Sequence, residues 1–215
     1  MQITIREPGS ALTHFIGMLL TLIFAFPLLI KASTSLNPTT MISMIVFVLS
    51  MTLLYGASTT YHSVNASPKI IQLFRKIDHM MIFVLIAGSY TPICLVAFHN
   101  RMGYILLSII WGIAFTGICV KGFWITCPKW FSSTIYILMG WICVAVFGQL
   151  YEAMSTLCFM YLLIGGIIYT IGGVIYALKL PLFNQKFKHF GSHELFHLFV
   201  MGGSICHFLC MYHLF

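Results

Sequence analysis

Residues 77–98 read IDHMMIFVLIAGSYTPICLVAF, and this stretch decides the fold. Asp78 is its only formally charged residue, and the apolar run that follows is unbroken for most of its length. A helix rises about 1.5 Å per residue, so about 20 such residues cross a hydrocarbon core of roughly 30 Å. We therefore predict that residues 77–98 cross a membrane as a helix.

Outward from this stretch, charged residues, Pro and Gly divide the chain into further apolar segments of similar length. They cover residues 11–31, 40–61, 102–121, 132–151, 157–179 and 193–213. Helices satisfy their backbone hydrogen bonds internally, and the segments lack the strict alternation of barrel strands. The sequence predicts an all-α integral membrane protein, in which residues 1–215 form a single domain of seven transmembrane helices.

The composition agrees with a membrane protein and argues against nucleic-acid binding. Charged residues make up 7% of the chain and hydrophobic ones 60%, whereas soluble domains carry about 25% charged residues. The net charge is +7, but the eleven Lys and Arg residues are scattered in short connections and form no basic patch. The first residues show no positively charged region followed by a cleavage site, so we expect the first apolar segment to remain as a span.

Positive charge is distributed unequally between the two sides of the predicted bundle. One side would hold Arg6, Lys69, Arg75, Lys76, Lys121, Lys129, Lys179, Lys186 and Lys188. The other side would hold only Lys31 and Arg101. By the positive-inside rule the N-terminus is predicted to be cytoplasmic and the C-terminus outside, in a multi-pass protein of the cell (inner or plasma) membrane.

Polar residues from three distant stretches are predicted to meet near the cytoplasmic side. His62 ends the second segment, Asp78 and His79 open the third, and His193 and His197 open the seventh. Helix directions alternate, so these three ends share one depth. Ionisable groups in membrane spans cost about 2.5 to 3.5 kcal/mol at the helix centre and are functional candidates for that reason.

The histidines in this layer predict a zinc site. His193 and His197 are offset by about 40° around a helix and about 6 Å along it, so one ion can bind both. Catalytic zinc takes three protein ligands and a water, and neutral imidazole is a preferred donor. We predict that His62, His193 and His197 bind Zn²⁺.

Ser58 and Asp78 are the predicted catalytic residues beside this metal. Ser58 lies one turn before His62, so its hydroxyl can face the same cavity, and Asp78 could serve as a general base. Plainer interpretations remain open: the histidines could be solvated, Ser58 could bond its own helix carbonyl, and Asp78 could pair with Lys76 or Arg75.

The stretch HELFH at residues 193–197 matches the H-E-x-x-H pattern, in which the glutamate of soluble metalloproteases is a general base. We favour a different role for Glu194. It falls in the first turn of a helix that Ser192 would cap, where a carboxylate complements the helix dipole. The pattern alone therefore does not predict a protease.

Other histidines and the cysteines are expected to have structural roles. His14 and His207 lie inside spans, where helix-to-helix hydrogen bonds are the favoured interpretation and a haem between them the less favoured one. The seven cysteines form no C-x-x-C pair and fall mostly within spans. We expect them to pack as small apolar residues.

Three blocks of this sequence resemble the signature blocks of the hemolysin III family, the bacterial branch of the progestin and adipoQ receptor superfamily. They are the SxxxH of residues 58–62, KIDHMMIFVLIAGSYTP of residues 76–92 and HELFHLFVMGGSICHF of residues 193–208. The stretch EPGSALTH of residues 7–14 is similar to the family's N-terminal block, with Ser10 where an asparagine is more usual.

The resemblance implies a cytoplasmic-facing zinc held by residues that match His62, His193 and His197, near an aspartate that matches Asp78 and a serine that matches Ser58. The superfamily includes alkaline ceramidases, which implies metal-dependent hydrolysis of lipid amides. The hemolysin name implies an association with cytolysis, and bacterial relatives imply a role in membrane lipid homeostasis.

The sequence thus leaves two main functions open. One is a zinc-dependent hydrolase whose substrate is an amide or ester of a membrane lipid. The other is a non-enzymatic sensor or regulator of membrane state, in which zinc joins spans two, three and seven. A direct pore-forming toxin is less favoured, since a chain of seven apolar helices has no evident soluble form. The oligomeric state is not predicted.

Overall fold

The computed structural model describes residues 5–178 and 190–215. These residues contain seven helices that are long and apolar enough to cross a membrane: α1 Pro8–Ser33, α2 Pro38–Ser63, α3 Pro68–Ala97, α4 Arg101–Phe123, α5 Lys129–Ala153, α6 Thr156–Leu178 and α7 Ser192–Tyr212. The prediction of an all-helical chain with seven spans is confirmed, and its orientation stays a prediction. Lys179, Lys186 and Lys188, which contribute to the charge bias, lie outside the described residues.

Local sequence explains where several helices begin. Pro8, Pro38 and Pro68 are the first residues of α1, α2 and α3, and proline suits this position because a first-turn N–H has no partner within the helix. The side chains of Asn37 and Asn100 cap α2 and α4 by accepting backbone N–H bonds. Of these residues, Pro8 begins the helix whose first turns lie beside the candidate site.

Helix α3 begins nine residues earlier than predicted, at Pro68 instead of residue 77. The prediction stopped at the charges of Lys76 and Arg75, but the helix continues through them because long basic side chains can extend from an apolar helix surface to water. Asp78 therefore lies about 15 Å along α3. The expectation that Asp78 opens this helix was wrong.

Six of the helices form a closed ring. Contacts join α1 to α2, α2 to α3, α3 to α5, α5 to α6, α6 to α7 and α7 back to α1. Helix α4 lies outside this ring against α3 and hardly contacts α5, the next helix in the chain. Gly117 allows this packing, since a Cβ atom there would lie 2.3 Å from the Phe83 ring.

Helix α5 is interrupted in the middle of its span. It is α-helical over Lys129–Trp141, forms a 3₁₀ turn over Ile142–Val146 and resumes over Phe147–Ala153. The Tyr90 hydroxyl donates to the Gly140 carbonyl at 2.7 Å and accepts from the Cys143 N–H at 3.1 Å. A side chain of α3 thus satisfies backbone groups that the break exposes, as a low-dielectric surrounding requires.

Hydroxyl groups also join the helices near the centre of the bundle. Ser204 of α7 accepts a hydrogen bond from the Tyr55 hydroxyl of α2 at 2.7 Å, and its oxygen lies 2.7 Å from the Tyr169 hydroxyl of α6. Ser204 is 2% exposed. Hydrogen bonds of this kind help to hold membrane helices together where apolar contacts alone give little preference for one partner.

Candidate metal centre

The three predicted histidine ligands meet at one end of the ring. His62 lies at the C-terminal end of α2, and His193 and His197 lie in the first two turns of α7. One nitrogen from each ring lies within 4.8 Å of the others. His62 and His197 are each only 2% exposed and His193 is partly exposed, so the alternative that the histidines are simply solvated is wrong for His197.

One nitrogen separation in the cluster matches that expected around a tetrahedral ion such as zinc. Ligand nitrogens about 2.0 to 2.1 Å from tetrahedral zinc lie about 3.4 Å from one another. His62 Nε2 and His193 Nε2 are 3.3 Å apart. Three buried imidazoles with converging nitrogens are a donor set that fits zinc.

Glu7 orients the first of these rings. Its Oε2 atom hydrogen-bonds His62 Nδ1, and its backbone N–H donates to the His62 carbonyl at 3.0 Å. A carboxylate only accepts, so Nδ1 carries the proton and the lone pair of Nε2 faces the cluster. The hydrogen bond with His62 lowers the pKa of the Glu7 carboxyl, and nearby Arg6 adds to this effect. Such partners fix a ligand imidazole and increase its basicity.

Thr13 orients a second ring. Its hydroxyl donates to the Ser10 carbonyl at 2.9 Å and lies 3.0 Å from His197 Nδ1. The hydroxyl has one hydrogen, which is used, so it accepts from His197 Nδ1–H. The Nε2 lone pair of His197 is then free to bind a cation.

His14 packs directly on the cluster. Its ring stacks on that of His197, with centroids 3.6 Å apart and an angle of 11° between the planes, and it also meets the Tyr55 ring edge-on. Neither nitrogen of His14 has a hydrogen-bond partner, and the same holds for His207, whose ring packs against Tyr169. The expected helix-to-helix hydrogen bond of His14 was therefore wrong, because ring packing took its place. For His207 the expectation stays a prediction, since its ring also lies beside the Leu162 backbone of α6.

Sequence reasoning missed the contribution of α1 to the site. Glu7, Ser10 and His14 recur at intervals of three and four residues, which places them on one side of a helix. That spacing was the available signal. The sequence analysis did not use this spacing, because the apolar run of the first segment begins at the same residues and was interpreted only as a membrane span.

Glu194 stabilises the start of α7, as the capping interpretation predicted. Its Oε2 atom accepts the Gly191 N–H at 2.8 Å, and its Oε1 atom accepts a hydrogen bond from the Ser10 hydroxyl. The residue that precedes the helix is Gly191, so the expectation that Ser192 is the cap was wrong by one position. Because both carboxylate oxygens are engaged, the arrangement does not favour Glu194 as a base.

A large cavity extends from the cluster into the ring. It encloses about 1520 Å³, including space open to the surroundings, and all six ring helices contribute to its wall. Among the described lining residues none lies on α4. His193, His197, Ser58 and Asp78 line it together with many apolar side chains. The structure therefore brings both predicted catalytic residues to the cavity that the histidines line.

Ser58 and Asp78 lack the structural partners that the plainer interpretations proposed. The Ser58 hydroxyl is buried and has no hydrogen-bond partner. In the described part of the chain no Lys or Arg forms an ion pair with Asp78, whose Oδ2 atom lies 3.3 Å from His79 Nδ1. Lys76 instead donates to the Gly122 carbonyl. Both polar groups remain available to a molecule in the cavity.

The fold and the site define a class: a multi-pass helical membrane protein with a buried cluster of three histidines at one end of its bundle. Residues 2–208 match the sequence model of the family described as Haemolysin-III related. The chain belongs to the haemolysin III family, which is related to the adiponectin and progestin and adipoQ receptors.

Curated relatives support this assignment over nearly the whole chain. Hemolysin-3 of Bacillus cereus is 37% identical over 207 residues, covering 96% of this chain and 90% of that protein. The Hemolysin-3 homolog of Bacillus subtilis (strain 168) is 36% identical and covers 97% of this chain and 94% of its own length. The adiponectin receptor protein of Drosophila melanogaster is 24% identical over 94% of this chain and 49% of that protein.

Proposed function

We propose that the protein is a zinc-dependent hydrolase that cleaves an amide or ester bond of a membrane lipid and acts in the lipid homeostasis of the cell (inner or plasma) membrane. The observation that carries this proposal is the junction of the three-histidine cluster with a long, mostly apolar cavity. Such a cavity can hold an acyl chain while the cluster lies at its polar end. The unpartnered Ser58 hydroxyl and the Asp78 carboxylate lie where a polar bond of that lipid would enter.

Each residue has a role in this reaction. His62, His193 and His197 would hold the metal, and zinc, when bound, polarises a carbonyl and makes water nucleophilic near neutral pH. Asp78 accepts the proton of the attacking water and returns it to the leaving amine or alcohol. The Ser58 hydroxyl donates to the carbonyl oxygen as it becomes negatively charged.

The variant Asp78→Asn tests the chemistry without removing a metal ligand. We expect it to keep the zinc content of the wild type, because the carboxylate is not among the converging ligands. Loss of the base should lower the rate of hydrolysis by about 10² to 10⁴-fold. The measurement is zinc content by mass spectrometry together with turnover of a panel of amide and ester lipids.

Glu152→Gln is the matched control, since Glu152 is an exposed carboxylate of α5 away from the cavity lining. It should change neither zinc content nor turnover. The proposal fails if zinc-loaded wild-type protein hydrolyses no member of the panel and chelation leaves membrane lipid composition unchanged.

A structural zinc in a non-enzymatic sensor is the second candidate, and one observation favours it. The three histidines belong to α2 and α7, whose backbones approach each other at few points although Tyr55 bonds Ser204 between them. A metal would therefore add a second link between these two helices, at the end of the bundle where their histidines meet. Helix α3 supplies none of the three nitrogens, so the expected clamp of spans two, three and seven reduces to two helices. If Asp78→Ala keeps its metal and its cellular effect, the sensor is favoured over the hydrolase.

A further inference from the structure

A second cavity lies outside the ring, between α3, α4 and α5. It encloses about 830 Å³, including space open to the surroundings. Its wall on α4 runs from Ile109 to Lys121, a rise of about 18 Å. Phe83 of α3 and Phe131 and Ile135 of α5 complete an almost wholly apolar lining. We call this cavity the α4–α5 cleft; it exists because these two helices hardly touch.

One end of the α4–α5 cleft carries three polar side chains: Lys121 at the end of α4, Cys127 in the following loop and Ser132 in the first turn of α5. All three are buried, and Lys121 is only 3% exposed. Lys121 Nζ lies 3.0 Å from Cys127 Sγ and donates to the Ser132 hydroxyl. The Ser132 oxygen in turn lies 3.1 Å from Cys127 Sγ.

The charge of Lys121 has no acidic partner in the described part of the chain. A buried ammonium is costly unless an anion lies beside it, and Cys127 is the neighbouring group that can supply one. With Lys121 donating to Ser132, the Ser132 hydroxyl can donate to the Cys127 sulfur, which thus faces two donors. Burial raises the pKa of the Cys127 thiol, but the hydrogen bonds of Ser132 and Lys121 outweigh it and leave that pKa below its usual value.

The second observation concerns access. Cys127 is one of the residues that line the cleft, so a molecule in the cleft lies beside it. A thiolate is a nucleophile, and the space that leads to it admits an apolar chain. A nucleophilic group therefore lies at one end of the α4–α5 cleft, and the apolar walls of the cleft lead to it.

We propose that Cys127 accepts a long-chain fatty acyl group, with the chain lying in the α4–α5 cleft and a long-chain acyl thioester as the donor. The Cys127 sulfur attacks the thioester carbonyl carbon and a new carbon–sulfur bond forms. The bond from that carbon to the donor's sulfur breaks, and the departing thiolate takes the electron pair. The proton of the Cys127 thiol passes to the departing thiolate through Lys121, so the transfer involves no oxidation or reduction.

This modification is independent of the metal centre. In the described chain α4 contributes nothing to the wall of the main cavity, and none of the three histidine ligands touches the α4–α5 cleft. Its test and the test of hydrolysis can therefore succeed or fail separately.

The experiment incubates the purified full-length protein with palmitoyl-coenzyme A and locates the acyl group by peptide mass spectrometry. Cys119 is the internal control, because it is an exposed thiol of α4 for which the described part of the chain shows no hydrogen bond from a Lys. We expect acylation at Cys127 ahead of Cys119, reversed by neutral hydroxylamine and absent in Cys127→Ser. Acylation at Cys119 with Cys127 unmodified would overturn the proposal.

Two variants separate activation of the Cys127 thiol from binding of the fatty acyl chain. Lys121→Gln should slow acylation of Cys127 about tenfold or more, since it removes a charged donor to the sulfur. Gly112→Phe should slow transfer of the palmitoyl group but leave the reaction of Cys127 with iodoacetamide unchanged. A Cβ atom at Gly112 meets nothing within 4 Å, so the ring can fill the cleft without a backbone clash.

Thermal unfolding and gel filtration establish that each variant is folded. If Lys121→Gln fails to fold, Ser132→Ala removes the other hydrogen-bond donor to the Cys127 sulfur. This variant is also expected to slow acylation of Cys127. Rates that stay at the wild-type value in a folded donor variant and in Gly112→Phe would contradict the proposal.

Discussion

At the scale of single residues, the histidine cluster depends on groups that bind no metal themselves. Glu7 holds His62 through Nδ1, and Thr13 holds His197 in the same way. Both contacts leave Nε2 turned toward the other ligands. Since Glu7 and Thr13 lie at the beginning of the chain, α1 determines how ligands on α2 and α7 are aimed.

Replacing Glu7 tests this orienting role. We expect Glu7→Ala to weaken zinc binding about 10 to 100-fold, the usual effect of losing the partner of a ligand imidazole. Glu7→Gln should be intermediate, because its amide oxygen still accepts from Nδ1–H but carries no charge. The measurement is competition for zinc against a chelator of known affinity.

Glu194→Gln is the control for these variants, because Glu194 lies near the same cluster but bonds Gly191 and Ser10 instead of a ligand ring. It should bind zinc nearly as tightly as the wild type. Equal affinities in Glu7→Ala and Glu194→Gln would show that Glu7 orients nothing.

At the scale of elements, the break in α5 shows how a membrane helix can change pitch without leaving backbone groups unpaired. Tyr90 supplies both a donor and an acceptor at this point. Its ring is 8% exposed and belongs to the apolar core. The break and the tyrosine therefore form one unit that joins α3 to α5 and helps to close the ring.

The variant Tyr90→Phe separates the hydrogen bonds of the Tyr90 hydroxyl from the packing of its ring. The ring keeps its packing, but the Cys143 N–H loses its acceptor and the Gly140 carbonyl keeps only a long contact with Cys143 Sγ. A group left unsatisfied costs about 1 to 3 kcal/mol. We expect a lower midpoint of thermal unfolding in detergent. Tyr104→Phe serves as the comparison, since the Tyr104 hydroxyl bonds His99 at an exposed position; an equal loss in both variants would count against the role of Tyr90.

At the scale of the whole molecule, the apolar segments predicted the spans well, because length and hydropathy decide whether a helix can cross a membrane. Alternating directions also predicted that His62 would meet His193 and His197. The ring order and the position of α4 were not predictable, since membrane helices choose neighbours through small residues such as Gly117 and dispersed hydroxyls such as Ser204. These contacts leave no periodic mark in the sequence.

The orientation of the whole bundle remains a prediction from the charge bias. Two exposed residues lie at opposite ends of the bundle. Leu36, between α1 and α2, is fully exposed, and Phe123, at the end of α4, is 94% exposed. If the N-terminus is cytoplasmic, an impermeant maleimide should label Leu36→Cys in intact cells but label Phe123→Cys only after permeabilisation. Labelling is compared with that of the parent chain, and the reverse pattern would invert the topology.

The near-complete burial of His62 and His197 has a consequence for the timing of metal loading. His193 and His197 also line the large cavity, so an ion bound between the histidines would exchange through that cavity as well as by movement of α1, α2 and α7. A molecule that fills the cavity would therefore slow both the loading and the loss of the metal.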